Sequence, residues 1–194
     1  MTQEFNSGFT LYTANCIGNA ANTSYPNAVK VTDLDSFRAA VSRDHVSAKY
    51  RDGYERKDKE QRNLIIAHRS IDDFLKADAA MYDVDNTPSK DDGEDIPPEQ
   101  WIYPRHIKAA FPGVPFYVTY SRSHMKQKGK YSPRPRFHVY FAIDPTENAE
   151  EYTALKEKVC AYFPQFDTNA KDAARFFFGT ANPEVEYYES EDGQ

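Results

Sequence analysis

Met81-Tyr82-Asp83-Val84-Asp85 is a short apolar run with carboxylates at alternate positions. Side chains of a strand alternate between its faces, so Tyr82 and Val84 enter a core while Asp83 and Asp85 project together from the other face. Two like charges one strand-step apart repel. A hard divalent cation such as Mg²⁺ or Mn²⁺ removes that cost, because it prefers carboxylate oxygen. An ordinary half-buried strand carries such a pair too, so the rest of the chain must decide.

The 194 residues, 40% hydrophobic and 14% aromatic, suit one sizeable domain with its own core. No apolar run spans a bilayer and no charged-then-apolar leader opens the chain, which predicts a soluble protein of the cytoplasm with no membrane partner. Cys16 and Cys160 stand alone, so neither a zinc module nor a disulfide framework is expected. The net charge of −6 argues against a polyanionic partner, but its distribution reverses the argument. Between Gln100 and Ile143 there is no Asp or Glu, while Arg105, Lys108, Arg122, Lys126, Lys128, Lys130, Arg134 and Arg136 all fall there. The acids gather in Asp91-Asp92-Gly93-Glu94-Asp95 and from Glu184 to Asp192. A field divided in this way draws polyanions to one region.

Working outward, Phe9 to Tyr12 and Val29 to Val31 read as strands, and Thr32 or Asp33 caps a helix through Leu34, Phe37 and Val41. Val46 to Tyr50 reads as a strand, Arg51 to Asn63 as a solvated loop or exposed helix, and Leu64 to Ala67 as helix or strand. Ser70 to Leu75 starts a short helix that ends before the central strand. Beyond Asp85 a polar loop leads to a helix from Pro104, stopped by Pro112-Gly113. Phe116 to Tyr120 is a strand. A long basic connection, Ser121 to Pro135, delivers the chain into the strand Arg136-Phe137-His138-Val139-Tyr140-Phe141. There Phe137, Val139 and Phe141 share one face, leaving Arg136 and His138 together on the other as a wall suited to phosphate. Asn148 or Ala149 begins a helix through Tyr152, Leu155, Val159 and Phe163. Phe166-Asp167 follows, with Arg175 set in an aromatic run, and the end from Glu184 reads as an acidic fraying terminus.

Asp83-x-Asp85 after an apolar strand, Arg136-Phe137-His138 leading a second strand, and Phe166-Asp167 followed by Arg175 occur in a set order. With Tyr25-Pro26, Asp44-His45-Val46, Tyr120-Ser121-Arg122-Ser123-His124-Met125-Lys126 and Ala173-Ala174-Arg175-Phe176-Phe177-Phe178-Gly179-Thr180, that order resembles the archaeo-eukaryotic primase superfamily. The likeness is to its phage and mobile-element primase-polymerases, and it is loosest from Arg51 to His68.

The resemblance implies an α+β fold, with a catalytic core built on an RNA-recognition-like antiparallel sheet (about 81–185), an N-terminal α/β module (about 1–80) and an acidic tail (186–194). It implies a template-directed nucleotidyltransferase, a DNA primase or polymerase working with two Mg²⁺ or Mn²⁺ ions in a bacterial host. Its partners would be a single-stranded DNA template, NTP or dNTP, and a helicase in the same or another chain; the domain itself is expected as a monomer. Asp83, Asp85 and Asp167 then match the metal ligands and His138 the histidine on the nucleotide's phosphates. Asp172, also near Arg175, stays open as the third acid. Arg136, Ser121, Arg122, His124, Lys126 and Arg175 are assigned to the nucleotide or template path, and Lys128, Lys130 and Arg134 to nucleic acid. Tyr117, Tyr120 and Tyr131 are candidates to stack on bases. The alternative is a single-stranded-DNA-binding module of the same fold without catalysis. A rolling-circle endonuclease ranks last, because no His-x-His pair occurs.

Overall fold

Alternating runs of aromatic and β-branched residues make most of the regular structure extended. The computed structural model describes residues 8–51, 54–57, 63–66, 69–88 and 95–189. In chain order the elements are β1 (Phe9–Thr13), β2 (Asn27–Val31), α1 (Leu34–Val41), β3 (His45–Val46), β4 (Ala48–Tyr50), β5 (Tyr54–Lys57), β6 (Asn63–Ile66) and β7 (Phe74–Val84). Then come α2 (Pro104–Ala110), β8 (Phe116–Tyr120), β9 (Phe137–Thr146), α3 (Ala149–Tyr162), β10 (Phe176–Phe177) and β11 (Val185–Tyr188). The fold is mixed α/β, as expected: a smaller antiparallel sheet in the order β10-β3-β1-β2, a larger one in the order β11-β8-β9-β7-β4, and the hairpin β5-β6.

Asp33 caps α1 by accepting from the Ser36 amide, and Asn148 caps α3 by accepting from Glu150 and Glu151. Pro104 opens α2, where its missing N–H costs nothing. Gly113, with φ of +78°, takes the left-handed turn that follows.

The larger sheet is covered on both faces, which explains its near-continuous apolar strands. On one face Tyr82 and Val84 of β7 and Phe137, Val139 and Phe141 of β9 join Tyr152, Phe163 and Phe166 from α3 and beyond. On the other, Ala79 and Met81 of β7 and Tyr140 of β9 meet Phe9 and Leu11 of β1, Phe37 and Val41 of α1, and Phe177. The face carrying Asp83 therefore looks towards the smaller sheet, where the sequence alone suggested an open polar surface.

Several expectations are corrected. Residues 46–50 are not one strand: Val46 pairs with Tyr12, Ala48 pairs with Ala77 of β7, and the chain changes sheet at Ser47, whose hydroxyl bonds that of Tyr152 at 2.6 Å. The helix expected from Ser70 is a single 3₁₀ turn at Ile71–Asp73, and β7 starts at Phe74, so the boundary placed near residue 80 falls inside one strand. Glu184 is followed by β11, which pairs with β8, because its two consecutive tyrosines find packing on opposite faces: Tyr188 stacks on Phe116 at 4.8 Å and Tyr187 lies 4.7 Å from Tyr117. Residues 54–57, expected as loop or exposed helix, form a strand paired with 63–66, where the strand is the one of the two expected alternatives that occurs. The acidic run 91–94 and the tail 190–194 lie outside the described residues.

Candidate active site

Asp83 lies directly opposite His138 in the β7–β9 ladder, and His138 lies opposite Thr119 of β8. Asp83 continues the Ala79–Met81 face to the margin of the intersheet core. Asp85 sits just past the end of β7. Its direction is set by Asn86, which adopts a left-handed φ of 50° and whose amide donates to the Ile102 and Pro135 carbonyls at 2.9 Å and accepts from the Ile102 N–H at 2.7 Å.

Asp167 comes from the far end of the chain. Its N–H donates to the Asp83 carbonyl at 2.8 Å, and its carboxylate accepts from the Asn169 N–H at 2.8 Å, capping the turn Thr168–Lys171. Single carboxylate oxygens of Asp83, Asp85 and Asp167 lie within 4.8 Å of one another. Asp172 is engaged elsewhere: its carboxylate accepts from the Ala174 N–H at 2.8 Å and its carbonyl from Lys156 Nζ at 3.1 Å.

The electrostatics follow from crowding and burial. Burial, then the charges of Asp85 and Asp167, push the Asp83 carboxyl up to about 8. Among the described residues Asp83 Oδ1 accepts no hydrogen bond. His138 stacks flat on Phe177, centroids 3.9 Å apart, with Nε2 3.6 Å from Asp83 Oδ1 and Nδ1 unpartnered. Burial, then His45, Arg175 and Lys128, push its imidazole down to about 3, so it is neutral near pH 7. Three convergent carboxylates, one with an orphaned oxygen and a carboxyl raised by burial and by its acidic neighbours, form a hard oxygen donor set that fits Mg²⁺ or Mn²⁺.

A cleft of about 310 Å³ opens over Asp83, Asp85 and His138, walled by Ser121, Arg122, Lys128, Arg175, Phe176 and Phe178. Lys128 Nζ is 2.7 Å from Asp85 Oδ2, which puts it at the carboxylates and not out on a nucleic-acid path. Arg175 and Arg122 have no carboxylate partner among the described residues, and Arg175 Nε has no acceptor.

Other predicted positions fall elsewhere. Arg136 does not stand beside His138 on an open wall. It is 0% exposed beneath the basic loop, with Nη1 donating to the Ser123 and Lys126 carbonyls at 2.8 Å and Nε 3.8 Å from Asp85. His124 accepts from the Arg136 N–H and stacks against Tyr120, off the cleft. Lys126 is exposed, and Lys130 lies over Tyr131. Arg134, expected on nucleic acid, is sealed inside. It donates to the Asn86 carbonyl, to Ser132 and to Asp95 Oδ2 at 2.6 Å, so its charge is spent tying the loop down. Tyr117 packs between Phe37 and Tyr187, and the Tyr120 hydroxyl donates to Glu186.

Sequence reasoning missed Lys156, 0% exposed on α3 with its ammonium near the Tyr82 and Tyr152 rings. Its place midway between Tyr152 and Cys160, on one helix face, was the available signal. Arg69, stacked on Phe176, was missed as well, because it follows a segment that reads as an insertion.

No protein-family model matches the chain, and no curated protein sequence matches it. Among solved structures it is similar to the AEP domain of the cyanophage S-2L primase-polymerase, at 12% identity and a TM-score of 0.44, over 96% of this chain and 83% of that chain. No helix among the described residues is long and apolar enough to cross a membrane.

Proposed function

We propose that this chain is a metal-dependent nucleotidyltransferase that joins NTP or dNTP to a strand held on a single-stranded DNA template. The observation that carries the reading is the convergence of Asp83, Asp85 and Asp167 beneath a cleft walled by Lys128, Arg122 and Arg175, with neutral His138 beside them. Acids at the floor and cations at the wall suit a substrate whose phosphates need both metal and positive charge.

In this reading Asp83, Asp85 and Asp167 hold Mg²⁺ or Mn²⁺. The bound ions supply Lewis acidity, easing loss of a proton from the attacking hydroxyl and neutralising the leaving pyrophosphate. Lys128 and Arg175 face the triphosphate, and the neutral His138 ring donates an N–H to it without repelling the nearby cations. Phe177, flat against His138, fixes the ring's orientation. Arg136 acts from beneath, keeping the loop that carries Ser121, Arg122 and Lys128 over the carboxylates.

The test is incubation with single-stranded DNA, labelled NTP or dNTP and Mg²⁺ or Mn²⁺, with and without a primer, comparing the native chain with Asp83→Ala/Asp85→Ala. Labelled product from the native chain alone is expected. No product under any condition sinks the catalytic reading and leaves a single-stranded-DNA-binding module.

A further inference from the structure

The three consecutive phenylalanines after Arg175 divide by strand alternation. Phe177 is 3% exposed and turned inward onto His138, whereas Phe176 and Phe178 are only half-buried on the cleft rim. Their rings meet edge to face, centroids 5.0 Å apart at 86°. Each carries a planar cation: Arg69 sits 4.4 Å from the centroid of Phe176 and Arg122 sits 4.3 Å from that of Phe178. The row Arg69, Phe176, Phe178, Arg122 thus borders the carboxylate cleft.

Neither guanidinium is spent on an acid: among the described residues neither has a carboxylate partner, although Arg69 Nη1 donates to the Ala174 carbonyl and its Nε is buried without an acceptor. A guanidinium lying on a ring turns its N–H edge away from that ring, where phosphate can meet the N–H groups not already bonded. A planar cation at stacking distance also marks the seat that a flat base takes on an aromatic platform.

The row is held rigidly. Phe176 and Phe177 pair with Val46 and His45 of β3. Gly179, directly after Phe178, donates its N–H to Asp44 Oδ1 at 2.8 Å, and a Cβ there would fall against the Arg43 backbone, so only glycine fits. Asp44 also accepts from the Gly18 and Asn19 N–H groups at 2.7 and 2.8 Å. Burial alone would raise its carboxyl, but these three amides outweigh it and hold the group ionised. Rings fixed before the ligand arrives lose little freedom on binding.

We propose that Phe176 and Phe178 are a stacking platform for the bases of a single-stranded nucleic acid, with Arg69 and Arg122 on the adjoining phosphates. The tyrosines expected in that role are packed elsewhere, and the half-buried rings at the cleft are these two. The proposal rests on the nucleotidyltransferase reading for the identity of the strand as substrate, but it is tested without chemistry.

Fluorescence anisotropy with a labelled short oligothymidylate and its abasic analogue, in EDTA and without nucleotide, reads the platform alone. The native chain is expected to prefer the base-bearing strand. Phe176→Leu/Phe178→Leu, which keeps apolar volume but removes the rings, should weaken that strand about tenfold or more and abolish the preference. Arg69→Gln/Arg122→Gln should weaken both strands and lower the slope of log K against log salt by about one to two. Equal native affinity for the two strands, or leucine variants that bind like the native chain, overturns the proposal. If the incorporation assay fails while base-dependent binding persists, the platform stands and the catalytic reading falls. If incorporation succeeds and the leucine variants bind normally, the reverse holds. Thermal melting of each variant identifies unfolding, and the single Phe178→Leu change then serves as the deciding variant.

Discussion

Asp83 and His138 face each other across the β7–β9 ladder, with Oδ1 and Nε2 3.6 Å apart, and burial favours the uncharged form of both. For Asp83 the folded value of about 8 lies above the ordinary 3.8. The unfolded chain therefore loses this proton first as pH rises, and stability falls between about pH 4 and pH 8. Asp83→Asn removes that loss. Without metal at pH 7.5 the variant should melt at a higher temperature than the native chain, and the difference should vanish near pH 4. Mn²⁺ at a hundred times its Kd should stabilise the native chain by about 2.7 kcal/mol and the variant far less. Scanning fluorimetry with and without MnCl₂ checks both; a native chain indifferent to Mn²⁺ would remove the metal site.

His138 offers one hydrogen bond to a charged phosphate, an interaction worth about 1.5–3 kcal/mol. His138→Ala should therefore lower kcat/KM for nucleotide by roughly tenfold to a hundredfold. Single-nucleotide extension kinetics give the measurement, and unchanged kinetics would take His138 out of the site.

His45, 0% exposed, has Nδ1 2.7 Å from the Arg43 carbonyl and Nε2 2.7 Å from the Tyr140 hydroxyl. Those partners fix the neutral tautomer with Nδ1–H donating and Nε2 accepting. Burial pushes this group down to about 4. Below its ordinary value of 6.5 the unfolded chain binds the proton and the fold does not, so stability is lost as pH falls from 6.5 towards 4. One group gives a slope of about 1.4 kcal/mol per pH unit. His138 adds a second over the same window, since its folded value is lower still. Asp83 acts in the opposite direction over this range, so urea unfolding of the native chain at pH 7.5, 6 and 5 should show a net slope near one proton, rising to about two in Asp83→Asn and falling to about zero in His45→Gln.

Arg134 tests whether a basic residue in the acid-free segment serves nucleic acid or the fold. Arg134→Ala leaves the Asn86 carbonyl without that donor and Asp95 unpaired. A loss of about 2–3 kcal/mol in unfolding free energy is expected. The salt dependence of oligonucleotide binding should stay the same; a shallower slope would return Arg134 to the interface.

The alternation at Tyr82, Asp83 and Val84 was legible because a strand's period of two is written directly in the residues, and it put the acids on the correct face. What lay opposite that face was not legible, since it depends on β1, α1 and Phe177 packing from distant parts of the chain. Arg134 and Arg136 read as cations facing phosphate because most of their partners are backbone carbonyls, which no residue type reveals, and Asp95 lies far from Arg134 in the chain. Lys156 was hidden for the same reason: its acceptor is the Asp172 carbonyl. The Phe176–Phe178 run reads as plain core, and only its alternation across the sheet margin separates the inward ring from the two on the rim.

The two sheets are interlocked through their ends. Ala48–Tyr50, from the early chain, is the outer strand of the larger sheet, and Phe176–Phe177, from the late chain, completes the smaller one. A polypeptide leaving the ribosome accordingly has the smaller layer unfinished until residues near 177 emerge and the larger until Tyr188 does, and Asp167 can join Asp83 only late in synthesis. Any nucleotide-joining or template-binding trace in a fragment ending before Phe178 would have to come from some other arrangement of these residues, so a nested series of shortened chains should gain its cleft in a single step.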